Sequence, residues 1–358
     1  KGTFILMKTK IQDMTSGSPG RLIILFAIPL MLGNICQQLY TMVDTMVVGQ
    51  VVGVEALAAL GAVDFLMWVV TGISTGLTQG FSIQLSQYYG AKDFENLRKS
   101  LAHSYRLTAF IAAGVLILSQ SFASLVLTGL HTPSNIIGMS LLYLRIIFCG
   151  IPATAAYNMF ASALRAMGNS KTPLTAMIIA SVLNVSLDIL FVAGFGWGVA
   201  GAAIATVIAQ SFSAVYCFLI LRRIDIVHLT RADFMPASGM NARLMKLGIP
   251  VVFQNIIIGV GGLVVQYVIN GYGFLFVAGF TATNKLYGLL EMAAISYGYA
   301  IVTYVGQNLG AGKIDRIRKG VRSSMLLSLL TSLIISAAMF LFGKNILSLF
   351  ISGEPQQT

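Results

Sequence analysis

Long apolar runs, broken at intervals by Gly, Pro and clustered charge, order the whole chain. Nine such runs lie near 22–48, 57–80, 101–127, 136–163, 172–193, 198–222, 245–270, 276–306 and 319–350. At about 1.5 Å per residue, each is long enough to cross roughly 30 Å of hydrocarbon as a helix. In lipid, a spanning helix is the element that satisfies its own backbone hydrogen bonds. The pattern therefore predicts an all-α polytopic membrane protein with about nine spans. Pro29, Pro152 and Pro250 fall within or near runs, where a missing N–H and a ring clash predict kinks.

The pattern repeats. Ile28-Pro29 with Asn34 returns as Ile249-Pro250 with Asn255, and Gln87, Gly90, Ala91, Arg98 and Lys99 return as Gln307, Gly310, Ala311, Arg318 and Lys319. Six spans separate the copies, so both have the same orientation and a pseudo-twofold axis along the membrane normal is expected. The expected division is a cytoplasmic segment at 1–20, a first lobe of six spans at 21–222, a polar linker at 223–243, and a second lobe at 244–358 with spans seven to nine. A second copy as long as the first would continue to roughly position 443, so about three further spans are expected beyond Thr358.

Composition sharpens the class: 56% of the residues are hydrophobic and 10% charged, with a mean hydropathy of +0.83. The net charge of +11 would point to nucleic acid in a soluble chain. Here the basic residues cluster in alternate loops: Lys8, Lys10 and Arg21; Lys92, Arg98 and Lys99; Arg165 and Lys171; Arg222, Arg223 and Arg231; Lys313, Arg316 and Arg318. By the positive-inside rule this predicts a cytoplasmic N-terminus in a bacterial inner membrane, and no nucleic-acid partner. Residues 1–20 are polar and do not read as a signal peptide. Cys36, Cys149 and Cys217 lie within spans without metal-like spacing and read as packing residues. His103, His131 and His228 are scattered, no hydrolase or metalloprotease motif is present, and no Gly-Lys-Ser/Thr phosphate loop signals ATP use. An enzyme is not expected.

Several motifs resemble the multidrug and toxic compound extrusion (MATE) family. They are Ile28-Pro29-Leu30-Met31-Leu32-Gly33-Asn34 running to Val43-Asp44-Thr45, Gly90-Ala91-Lys92, Arg165-Ala166-Met167-Gly168 with Pro173, and Gly306-Gln307-Asn308-Leu309-Gly310-Ala311. Asn184-Val185-Ser186-Leu187-Asp188, followed by Gly196-Trp197-Gly198 and Thr206, looks like the prokaryotic DinF-like branch. The resemblance implies a V-shaped pair of six-helix lobes that exports small organic cations by alternating access, driven by Na⁺ or H⁺ and acting as a monomer without further cofactor. The family has twelve spans.

Ionisable groups in hydrocarbon cost about 2.5–3.5 kcal/mol each on insertion scales and are functional candidates by default. Those within the predicted spans are Asp44, Asp64, Arg145, Asp188, Lys285 and Glu291. Asp44 and Asp188 sit at one depth, near the outer ends of two outward-running helices. Asn184 lies one turn from Asp188, and Thr206 comes level with it on the returning helix. Four oxygen-bearing side chains then converge, which suits either Na⁺ or a proton shared between carboxylates. These positions match the family's cation-coupling site, and Tyr40 and Asn158 match its neighbours. Asp64 and Glu291 are candidates for the cavity, and Arg145 is expected to anchor helix packing. The seventh run contains no acid, Val265 standing at the repeat-equivalent of Asp44, so the site is expected in the first lobe alone. The rival readings are a lipid-linked oligosaccharide or lipid flippase of the same superfamily, which a cavity rich in Arg and Lys would favour, and an inactive fragment.

Overall fold

A computed structural model describes residues 11–129, 132–270 and 274–348. Lys8, Lys10 and His131, together with the side chain of Lys285, lie outside the described residues. Every regular element among the described residues is helical. The first bundle comprises α1 (Pro19–Val51), α2 (Val54–Gly61), α3 (Asp64–Gly90), α4 (Phe94–Gly129), α5 (Ile137–Cys149), α6 (Ile151–Ala166), α7 (Lys171–Asp188) and α8 (Gly198–Leu221). A π-helical turn, Ile189–Gly194, extends α7. Then follow α9 (Met240–Asn270), α10 (Phe274–Gly310) and α11 (Ile314–Ser348).

Seven helices among the described residues are long and apolar enough to cross a membrane, and the α5–α6 pair, bent by 46° at its break, makes an eighth. The remaining expected run, the eighth at 276–306, falls on α10, part of whose side chains lies outside the described residues. The second run comprises α2 and α3, which join through Ala62 and Val63 and together make one apolar span, Glu55–Gly90. Asp64 stands in the first turn of α3 and lies within that span, as the sequence predicts. A carboxylate in the first turn of α3 faces the positive end of the helix dipole. Pro152 stands just past the 46° bend between α5 and α6, where a kink is expected. It opens α6, where its missing N–H removes no helical hydrogen bond. Pro29 and Pro250 do lie inside α1 and α9.

The repeat becomes a reciprocal contact. A Cβ on Gly90 would collide with the Gln307 carbonyl, and one on Gly310 would collide with the Gln87 carbonyl, so α3 and α10 cross backbone to backbone at equivalent positions. Asn34 of α1 donates to Ser296 of α10 at 3.1 Å, and its counterpart Asn255 of α9 donates to the Gly72 carbonyl of α3 at 3.1 Å. Both α3 and α10 end in the same hydrogen-bonded turn. Lys92 N–H reaches the Tyr89 carbonyl and Asp93 N–H the Tyr88 carbonyl; Gly312 N–H reaches Leu309 and Lys313 N–H reaches Asn308. The turn needs a left-handed residue, supplied by Lys92 (φ 58°) in one copy and Gly312 (φ 69°) in the other.

The segment between α8 and α9 is pinned beneath α4. His103 contacts the Asn241 side chain at 2.7 Å and the Met235 carbonyl at 3.1 Å through its two ring nitrogens, Arg106 donates to the Phe234 carbonyl at 2.7 Å, and Arg98 pairs with Asp233 at 3.7 Å. The N-terminal segment is also tied down. Met14 is fully buried in a cluster with Phe26, Tyr297, Ala300 and Tyr304, where α1 meets α10. Its N–H donates to Gln307 Oε1 at 3.0 Å and its carbonyl accepts from Asn308 at 2.9 Å. Gln307 also donates to the Ala166 carbonyl at 2.8 Å, and Arg316 donates to the Gly17 carbonyl at 2.9 Å. Arg165 of α6 lies 4.7 Å over the Tyr299 ring. Residues 12–17 therefore bridge the two copies at the basic end.

Candidate functional site

Away from that basic end, α1, α7 and α8 pack together. Small residues permit the approach: a Cβ on Gly201 would press against Phe191 at 3.0 Å, and Ala202 and Ala205 are fully buried. The packing encloses Asn184 and Asp188, both at 0% exposure, and Asp44 at 5%. Asn184 Nδ2 donates to Thr206 Oγ1 at 3.4 Å, which joins α7 to α8 at the predicted level. The two carboxylates feel each other's charge across α1 and α7. Asp188 is the last residue of α7, where the helix widens into the π-turn. Such turns recur at functional positions because they displace one residue from the regular ladder.

The hydrogen bonds here are one-sided. Asn184 uses its amide donor on Thr206, leaving Oδ1 without a partner, and Gln210 donates to the Tyr40 hydroxyl at 3.2 Å, leaving Oε1 without one. Asp44 Oδ1 and both carboxylate oxygens of Asp188 are also buried and unpartnered. Among the described residues, the ion pairs are Arg98–Asp233 and Lys99–Glu95, so no protein cation neutralises Asp44 or Asp188. Buried acceptors are ordinarily satisfied, because leaving one unpaired costs about 1–3 kcal/mol and more for a charge. Five buried acceptor oxygens without donors, on helices that pack together, form an environment suited to a small hard cation or to protons.

Tyr40, one turn before Asp44 on α1, belongs to this network through Gln210. Asn158 does not hydrogen-bond to the cluster; it donates to Thr75 of α3 at 3.2 Å. Asp64, in the first turn of α3, is exposed and within electrostatic reach of Asp44. Glu291 is exposed on α10, with no hydrogen bond or ion pair among the described residues. Two site residues had no clear sequence signal. Gln210 is one turn beyond Thr206 on the same face of α8, a spacing that could have indicated it. Tyr143 of α5, within electrostatic reach of Tyr40, Asp44 and Asp188, could be placed only by tertiary packing.

An internally repeated helical bundle whose copies are tied together at the basic end, and which holds a desolvated acidic site away from it, belongs to the class of polytopic membrane transporters. More particularly, the chain belongs to the MatE family, whose model matches residues 29–190 and 250–355. It is 31% identical over 346 residues to the probable multidrug resistance protein YpnP of Bacillus subtilis, covering 97% of this chain and 77% of that protein. It is 26% identical over 341 residues to the probable multidrug resistance protein NorM of Thermotoga maritima, covering 93% and 72%. Among solved structures, it matches a MOP superfamily transporter from Pyrococcus furiosus with a TM-score of 0.91 at 23% identity, covering 98% of this chain and 78% of that one. An outward-facing multidrug resistance MATE family transporter matches equally well, with a TM-score of 0.91 at 23% identity, covering 97% and 78%.

Proposed function

We propose that this chain carries out secondary active multidrug efflux, exchanging small organic cations for Na⁺ or H⁺ by alternating access. The observation that carries the reading is the set of unpartnered oxygens at Asp44, Asn184, Asp188 and Gln210. In this reading Na⁺ binds to Asp44, Asn184, Asp188 and Thr206, or a proton is held between the two carboxylates. Either occupant supplies the positive charge that the surrounding side chains lack. The seal formed by residues 12–17, Gln307 and Arg316 closes the basic end while the acidic half is loaded. The alternation of basic loops supports a bacterial inner-membrane location with the N-terminus in the cytoplasm. Asn184 through Thr206 supports the DinF-like branch.

The test is efflux of a fluorescent organic cation from pump-deficient bacteria expressing the full-length transporter, with Na⁺ present or absent. Wild type is expected to export the dye, while Asp44→Asn and Asp188→Asn fail at normal membrane levels. Export by both variants at the wild-type rate would remove the carboxylate site from the mechanism. No export of any cation by well-expressed wild type would turn attention to lipid-linked substrates.

A further inference from the structure

Arg145 does not anchor helix packing. It is exposed on α5, eight residues from the helix start at Ile137, or about 12 Å along the axis at 1.5 Å per residue. Its surroundings belong to the lipid-facing surface: Leu142, one turn earlier on the same face, is 48% exposed, and Ile117 on the neighbouring α4 is 65% exposed. The guanidinium has neither a carboxylate partner nor a hydrogen bond among the described residues. It lines a 650 Å³ groove between α4 and α5 whose walls include Leu116, Ile117 and Ile146. Gln120 crosses the groove floor, donating to the Arg145 carbonyl at 2.8 Å and to Cys149 Sγ at 3.3 Å, so the backbone beneath is satisfied while the charge is not.

A permanently charged group at this depth is costly unless it meets an anion or reaches the interface, and Arg does both by extending along an apolar surface towards the headgroups. The guanidinium fork fits two phosphate oxygens at once. We propose that the α4–α5 groove is a binding site for an anionic phospholipid drawn from the leaflet at the α4–α5 turn. Arg145 pairs with the phosphodiester, and an acyl chain lies against Leu116, Ile117 and Ile146. The site is separate from the acidic cluster enclosed by α1, α7 and α8, and it does not depend on the transport reading.

Cys149 is exposed in the same groove and reports its occupancy in the unmodified protein. In detergent, alkylation of Cys149 is followed by peptide mass spectrometry with phosphatidylglycerol, phosphatidylcholine or inorganic phosphate added. Phosphatidylglycerol is expected to slow alkylation about fivefold more than phosphatidylcholine, the factor one basic residue contributes near anionic lipid. Arg145→Gln should erase that difference, Arg145→Lys should keep most of it, and Arg222→Gln at the basic end should leave it intact. Equal protection by the two lipids, or undiminished selectivity in Arg145→Gln, would overturn the proposal. Protection by inorganic phosphate alone to the same extent would also overturn it, by identifying a free-anion site. If Arg145→Gln does not accumulate, the lipid comparison on the unmodified chain decides.

Discussion

Gln307 and Asn184 are both fully buried amides on transmembrane helices, yet they are treated in opposite ways. At the basic end, Gln307 accepts from Met14 and donates to Ala166, and Asn308 donates to Met14 while accepting from Arg316 at 3.0 Å. In the acidic half, Asn184 and Gln210 donate to a neighbouring hydroxyl, and their oxygens meet nothing. One region stores its hydrogen-bonding capacity in a closed seal; the other leaves acceptor capacity open. In the proposed exchange cycle, a seal that forms and breaks reversibly needs complete pairing when closed, whereas a cation site needs open acceptors.

The sharpest way to break the seal is steric. Gly90→Ala places a Cβ into the Gln307 carbonyl, with backbone on both sides and no side chain able to yield. The expected cost to the sealed state lies at the upper end of about 1–3 kcal/mol. It should appear as increased labelling of a cysteine placed at Ser86, a residue now fully buried. Gly310→Ala should do the same through the Gln87 carbonyl, and the absence of an effect from either would show that the helices separate there without penalty.

Removing the Gln307 side chain tests pairing instead of volume. Gln307→Ala leaves the Met14 N–H and the Ala166 carbonyl without these partners and should cost about 2 kcal/mol of thermal stability in detergent. Asp188→Asn should behave oppositely. In Na⁺-free buffer, the new amide can donate to an acceptor that now has none, so stability should hold or rise by roughly 1 kcal/mol. Destabilisation as large as that of Gln307→Ala would mean that Asp188 already has a partner.

The smallest expected effect is one of pH at the seal. Burial tends to raise the Asp13 carboxyl, but hydrogen bonds from Thr15 and Ser16 and the charge of Lys313 outweigh it and hold the group below its ordinary 3.8. Thr15 N–H donates to Oδ1 at 2.8 Å and Ser16 Oγ to Oδ2 at 3.1 Å. A depressed folded-state value contributes stability above the unfolded value and loses it as pH falls through the folded one. The N-terminal segment should therefore loosen only below about pH 4, followed by amide exchange at Thr15. Asp13→Asn should abolish that dependence.

Much of this was legible in order along the chain. Apolar length specified helices because a span must satisfy its own backbone, and the recurrence of Pro-x₄-Asn and Gln-x₂-Gly-Ala announced two copies. The one-turn spacing of Asn184 and Asp188 placed two oxygens on one helix face without reference to any neighbour. These properties are local, or depend on a repeat read from the chain against itself. What the tertiary structure decided concerns partners distant in sequence. Gln210 enters the acidic network only because α8 brings it to Tyr40, and Met14 becomes a core residue only because α1 and α10 meet above it. Arg145, read from sequence as a packing anchor, faces a groove because α5 turns that side away from its neighbours. Periodicity tells which residues share a face; what that face meets is set by the packing of the other helices, whose order in space the order in sequence does not encode.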